Sequence, residues 1–223
     1  MDHYATPPRF TRSKLHYTEL VLNFLLDIIY PRRCLGCGKW GKFICDDCQK
    51  RIRFYDRHVF HEIPGVDDAF VLAHYEGIIR QAVKDIKYRG TFGICQELGD
   101  LIQKNFHDKF HIDYLVPVPL AKKRLADRGF NQAAKLARSL KLAPVANCLV
   151  RTRETKPQFD LKFNQRKENV RGAFTVRREL VSTASYCLVD DVATTGATIS
   201  ECAKALKIAG AQKVYAICVA RGG

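Results

Sequence analysis

The segment Val189-Asp190-Asp191-Val192-Ala193-Thr194-Thr195-Gly196-Ala197-Thr198 limits what this chain can fold into more than any other. Residues 186–189 are apolar and strand-like, two carboxylates follow at once, and small residues, threonines and a glycine then turn the chain into a helical period at 198–209. A strand that turns tightly into a helix brings successive backbone N–H groups around one point, and the helix dipole favours an anion there. Thr194, Thr195 and Thr198 add hydroxyl donors. Adjacent carboxylates beside an anion site are repulsive unless they accept hydrogen bonds from sugar hydroxyls or help hold a divalent cation. A phosphorylated ribose accounts for both halves of the segment. The plainer alternative is an acidic turn with a threonine helix cap, but a cap needs only one such residue.

The chain of 223 residues, 47% hydrophobic, is long enough for one main core with a small appendage. From residue 67 onward apolar runs alternate with helical periods. The patterns predict strands at 67–75, 114–119, 145–150, 173–176, 186–189 and 214–220, and helices at 77–88, 92–106, 129–140 and 198–209. Such alternation implies an α/β domain with a mostly parallel sheet covered on both faces, and ligands gather at the carboxyl ends of strands in such sheets. No GxxxxGK[ST] loop is present, so phosphate must be held in another way.

Cys34 and Cys37, then Cys45 and Cys48, form two CxxC pairs separated by seven residues. Two residues between cysteines let both thiolates meet one ion, and two such pairs complete a tetrahedral sulfur shell suited to a structural zinc with no open position for catalysis. Free thiols, an iron–sulfur cluster and a redox pair are the alternatives. Gly36, Gly38 and Gly41 match the GxGxxG dinucleotide fingerprint in letters only. No apolar strand precedes them and no helical pattern follows, so they are read as relaxing the metal-binding turns. The other five cysteines, Cys95, Cys148, Cys187, Cys202 and Cys218, lie singly among apolar residues and read as reduced core thiols. With an odd total of nine, this predicts a reducing cytoplasm rather than a disulfide framework.

The apolar run at 20–29 is broken by Asn23 and Asp27, is too short to span a bilayer, and leads to no small-residue cleavage site. It is read as a short amphipathic helix, and no membrane span is expected. The predicted organisation is an N-terminal amphipathic segment at 1–30, a four-cysteine zinc module at 31–62 and the α/β domain at 63–223.

The formal charge of +14 is concentrated: residues 121–171 hold 14 Lys/Arg against 4 Asp/Glu. Such a stretch attracts phosphate groups, on nucleic acid or on a small ligand, unless it is simply a solvated face.

At residues 189–198 the sequence resembles the type I phosphoribosyltransferases, whose motif for 5-phosphoribosyl-1-pyrophosphate (PRPP) is an apolar strand, two acidic residues and a Thr/Gly phosphate loop. It further resembles the ComF family of competence-associated proteins in the four cysteines, in Val116-Pro117-Val118-Pro119-Leu120 and in Arg128-Gly129-Phe130-Asn131-Gln132. The likeness extends through Thr155, Gln158 and Leu161 to Arg166 and Asn169. The resemblance implies a type I phosphoribosyltransferase fold. In it Asp190 and Asp191 contact the ribose hydroxyls, and the backbone of Ala193, Thr194, Thr195, Gly196, Ala197 and Thr198 holds the 5-phosphate. Val118 and Pro119 face a pyrophosphate bridged by Mg2+, and residues 151–171 form a loop covering the ligand. Arg128 and Asn131 are candidate ligand contacts, against a surface cation and a turn or helix-start residue.

Two functions follow. The first is a PRPP-binding protein of DNA uptake during natural transformation, handling incoming single-stranded DNA with a basic surface that includes Arg151 and Arg153. The resemblance gives it a helicase-like competence translocase as partner. The second is a conventional phosphoribosyltransferase acting on a small acceptor in salvage or biosynthesis. The charge excess favours the first, because counterion release rewards many phosphate contacts. Phe159 and Phe163 are candidates for base stacking, while Phe130 and Phe174 read as core. Whether transfer chemistry occurs is left open, since no base-reading residues are apparent and fold does not settle function.

Overall fold

The computed structural model describes residues 32–55, 63–106, 110–154 and 168–222. The expected amphipathic segment at 1–30 lies outside these, as do Phe159, Phe163 and most of the expected covering loop.

A short helix α1 (Asp46–Gln49) precedes β1 (Asp68–His74), α2 (Gly77–Arg89), α3 (Phe92–Asn105) and β2 (Tyr114–Pro117). Then come α4 (Lys122–Arg128), α5 (Gln132–Leu140), β3 (Leu149–Arg151) and β4 (Phe174–Val176), followed by β5 (Ser185–Ala193), α6 (Ala197–Ile208) and β6 (Lys213–Arg221). The main sheet has the order β1-β6-β5-β2 and every neighbouring pair is parallel. Buried on both faces, β5 and β6 are apolar along most of their length, as parallel central strands must be. Successive side chains of β5 point to opposite faces. Cys187 and Val189 enter the core shared with α2, α3 and α5, whereas Tyr186 and Leu188 enter the one shared with α6. The expected α/β architecture with a mostly parallel sheet is therefore present.

Three expectations are corrected. The helix predicted at 129–140 starts only at Gln132, and a separate helix before it, α4, has no counterpart in the prediction. Gly129, at φ +77°, ends α4, and Asn131 caps α5 by accepting from Ala133 N. None of the residues of α4 is buried, so no apolar period betrays it. The strand predicted at 145–150 is split: Val145 bridges Leu115 beyond β2, then the chain leaves the sheet and β3 pairs antiparallel with β4. The strand predicted at 186–189 runs on to Ala193, because Asp190 and Val192 continue the ladder opposite Cys218 and Ala220 of β6. The carboxylate pair is thus inside the strand, not after it.

The cysteine segment packs directly on this domain. Glu97 of α3 accepts from Phe43 N at 2.9 Å and from Ile44 N at 2.7 Å, and Ile44 and Ile52 are buried in the main core. The five scattered cysteines are buried and free. Among the described residues no helix is long and apolar enough to cross a membrane.

Candidate functional site

A cleft of about 940 Å³ opens where β2 and β5 end and α6 begins. Because consecutive strand residues face opposite ways, the two carboxylates sit in different surroundings. Asp191 lies on the α2 face, where its Oδ1 is 2.9 Å from Lys87 Nζ. Its Oδ2 is buried without a hydrogen-bond partner. Burial, and then the charge of Asp191, push Asp190 up to about 7. One of its oxygens, Oδ1, accepts from Asp191 N at 2.8 Å. Burial pulls Lys87 down, but the charge and hydrogen bond of Asp191 outweigh it and leave the ammonium above its ordinary range. Asp191 is therefore paired with a half-buried cation, while Asp190 is close to half-protonated at neutral pH.

Facing the carboxylates are three guanidiniums. Arg124 and Arg128 are one turn apart on α4, and Arg151 lies on β3. Burial, and then the nearby charge of Arg124, push Arg151 below its ordinary value. Burial lowers Arg128 despite attraction from Asp191. Half-buried arginines that repel one another, with Arg124 Nη2 left without a hydrogen-bond partner, form a site that can accept an anion.

The turn from β5 to α6 is shaped by small residues. Gly196 has φ +71°, and a Cβ there would stand 2.9 Å from Ile63 Cγ1, so both backbone and space require glycine. Thr195 Oγ1 accepts from Ala197 N at 3.3 Å, and the Ala193 carbonyl accepts from Gly222 N at 3.0 Å. The side chains of Thr194 and Thr198 line the cleft, whereas Ala193, Thr195, Gly196 and Ala197 build the turn behind it. Val118 and Pro119 also line the cleft, and Val118 N donates to Val189 O at 3.0 Å. Asn131 Nδ2 donates to Val118 O at 3.0 Å, so its amide ties the start of α5 to that loop.

Among the residues predicted from sequence, Asp190, Asp191, Thr194, Thr198, Val118, Pro119, Arg128 and Arg151 thus come together. Asn131 and Arg153 do not line the cleft, and Arg153 Nη2 instead donates to Asn169 O at 3.3 Å and Arg171 O at 2.8 Å. Phe174 is buried, as expected. Phe130 lines the cleft while packing edge-on against Phe92 at 4.9 Å. The reading of the sequence missed Lys87 and Arg124. Lys87 had a signal: it follows Val83 by four residues on the buried stripe of α2, an unusual place for a lysine.

The second site is the cysteine cluster. The Sγ atoms of Cys34, Cys37, Cys45 and Cys48 all lie within 4.8 Å of one another, and those of Cys37 and Cys45 are 3.6 Å apart. A tetrahedral zinc with sulfur ligands at about 2.3 Å needs sulfurs about 3.8 Å apart, so the four fit one ion. Burial raises the Cys34 thiol, but backbone N–H groups outweigh it and bring it down to about 6. Burial pushes Cys48 up to about 12. Sulfurs this close cannot all ionise without a cation between them. A Cβ on Gly36 would stand 2.9 Å from Cys48 Sγ, so the glycine serves the metal turn rather than a nucleotide.

A double zinc ribbon domain model matches residues 25–59, and among the described residues there is one four-cysteine cluster. Competence protein F of Haemophilus influenzae is 28% identical over 205 residues, covering 84% of this chain and 90% of that protein. Competence protein ComFC of Bacillus subtilis is 28% identical over 180 residues, covering 78% of this chain and 70% of that protein. The DNA utilization protein YhgH of Escherichia coli is 40% identical over 114 residues, 49% of each chain. Two solved structures match in part. Glutamine phosphoribosylpyrophosphate amidotransferase from B. subtilis, complexed with ADP and GMP, is 21% identical with a TM-score of 0.37 over 56% of this chain and 27% of that one. Adenine phosphoribosyl transferase from Trypanosoma brucei, in complex with AMP, pyrophosphate and ribose-5-phosphate, is 13% identical with a TM-score of 0.36 over 68% of this chain and 69% of that one.

Proposed function

We propose that this chain, similar to competence proteins F and ComFC over most of its length, is a ComF-family phosphoribosyltransferase-like protein whose cleft binds PRPP and which handles incoming single-stranded DNA during natural transformation. The observation that carries the reading is the buried Asp191 Oδ2, which has no partner, in a cleft that also gathers Arg124, Arg128 and Arg151. An unmet buried acceptor costs about 1–3 kcal/mol, and a ribose hydroxyl donating to it removes that cost. Asp190 and Asp191 take the ribose hydroxyls, and the turn from Ala193 to Thr198 takes the 5-phosphate at the start of α6. Val118, Pro119 and the arginines take the pyrophosphate. The oxygen donors of the carboxylate pair suit Mg2+, which supplies charge screening for the pyrophosphate when bound. Lys87 holds Asp191 in place through the 2.9 Å ion pair. Zinc in the cysteine cluster is structural on this reading, the setting is cytoplasmic, and a helicase-like competence translocase is the partner.

One observation favours the second reading, a conventional transferase with a small acceptor. A cleft of about 940 Å³ is at the upper end of the usual 300–1,000 Å³ for ligand pockets, and Tyr75, Tyr88 and Phe130 line it with aromatic surface where an acceptor ring can rest. Pyrophosphate release on adding acceptors separates the two.

The test is calorimetric titration of PRPP with Mg2+ into the protein, repeated with single-stranded oligonucleotide present. The reading expects saturable heat at one site per chain that ribose 5-phosphate weakly competes for. Absence of heat from folded protein overturns the PRPP assignment. Absence of any effect or binding of the oligonucleotide overturns the DNA half alone.

A further inference from the structure

The cleft does not account for the tip of the cysteine hairpin. Trp40 is the chain's only tryptophan, and it is 56% exposed. It pairs with Arg33 across an antiparallel bridge, and the Arg33 guanidinium lies 3.8 Å from the ring centroid. Cys34 N donates to Lys39 O at 2.8 Å and Gly41 N donates to Arg32 O at 2.9 Å, so the backbone on both sides of the ring is tied down beside the sulfur cluster. The ring is therefore presented rigidly, with a cation already on one face. On either side of it, a Cβ added to Gly38 or Gly41 would meet nothing within 4 Å, so approach past these residues is open. Residues 32–53 carry seven Lys/Arg against two Asp/Glu, a second basic concentration apart from that at 121–171.

We propose that this hairpin tip is a stacking site for a base of single-stranded nucleic acid, with Trp40 as the platform and Arg33 and Lys39 drawing the flanking phosphates. The inference rests on the nucleic-acid half of the proposed function. A ring meant for a protein partner sits in an apolar patch, whereas Trp40 is surrounded by glycines, lysines and arginine. That composition suits a planar base between phosphates and does not suit an apolar surface. The zinc cluster gains a role from this, since it fixes the hairpin that aims the ring.

Because Trp40 is the sole tryptophan, its fluorescence reports the site without a label. The zinc-loaded full chain is titrated with an unlabelled oligothymidine, followed by tryptophan emission. A fluorescein-labelled copy of the same oligonucleotide is followed in parallel by anisotropy. The expected result is saturable quenching with the same midpoint as the anisotropy rise, and a midpoint that weakens as salt is raised. Trp40→Leu weakens binding roughly 5- to 100-fold with zinc content and melting temperature unchanged, Trp40→Tyr keeps most of the affinity, and Arg33→Gln lowers the salt dependence. If Trp40→Leu loses zinc, the quenching of the parent and the behaviour of Trp40→Tyr still decide. An anisotropy rise with unchanged tryptophan emission overturns the inference and leaves DNA binding to another surface. No anisotropy rise at low salt overturns the inference and the nucleic-acid reading together, and leaves the PRPP titration to judge the cleft.

Discussion

The cysteine module and the cleft both crowd like groups together, and they resolve the crowding in opposite ways. In the module four Sγ atoms converge from residues 34–48, and a single dication satisfies the set. In the cleft the groups come from α2, α4, β3 and β5, and Lys87 and Asp191 answer each other at 2.9 Å. Arg124, Arg128 and Arg151 face one another, and Asp190 is pushed up to about 7. A closed set from one short segment adds to the stability of the fold. An open set assembled by tertiary structure holds a free-energy cost that a ligand removes.

The strongest way to break this comparison is to open the closed set. Cys37→Ser is expected to lose the bound metal and to lower the melting temperature by roughly 10 °C or more, in one transition, because Ile44 and Ile52 carry the module into the main core. Metal analysis with a thermal melt checks it. An unchanged melt after metal loss makes the module an appendage. Next in size is the Lys87–Asp191 pair in the cleft. Lys87→Met leaves the Asp191 charge buried and alone, at an expected cost of about 3 kcal/mol in urea unfolding, and Asp191→Asn added to it should recover part of that. A neutral single variant removes Lys87 from the account.

A smaller effect sharpens the contrast through pH. The Asp190 carboxyl titrates at about 7 when folded, against 3.8 ordinarily. Between those values the folded form holds the extra proton, so stability falls as pH rises from about 4 to about 7 and stays lower above. Asp190→Asn removes this penalty. It is expected to raise the melting temperature of the ligand-free protein clearly at pH 8 and much less at pH 5. An equal gain at both values means that Asp190 is not perturbed.

Much of this was legible in the sequence wherever the chemistry is local. The four cysteines and the run from Val189 to Thr198 each state their site within a few residues, and the apolar patterns place β1, β5, β6 and the helices α2, α3, α5 and α6. What stayed hidden depends on distant partners. Arg124 sits on a helix with no buried residue, so nothing periodic marks it, and it reaches the cleft only because Gly129 ends that helix and Asn131 anchors the next to Val118. The apolar run at 145–150 gives no sign that Val145 serves one sheet and Leu149 another, because strand pattern does not name the pairing partner. Lys87 was visible as a lysine on an apolar stripe, but its partner was not.

The central claim is that the carboxylate pair and the turn after it form the PRPP site. Asp190→Ala with Asp191→Ala removes the acceptors for the ribose hydroxyls and leaves the turn backbone in place. Charge-assisted hydrogen bonds are each worth about 1.5–3 kcal/mol, so PRPP affinity measured by calorimetry with Mg2+ should fall by roughly two orders of magnitude. Relief of repulsion between the carboxylates and an anionic ligand reduces that loss. Thr195→Asp places a carboxylate in the phosphate turn and should abolish binding by repulsion alone. If both variants keep the circular dichroism of the parent and bind PRPP as tightly as it does, the assignment is contradicted.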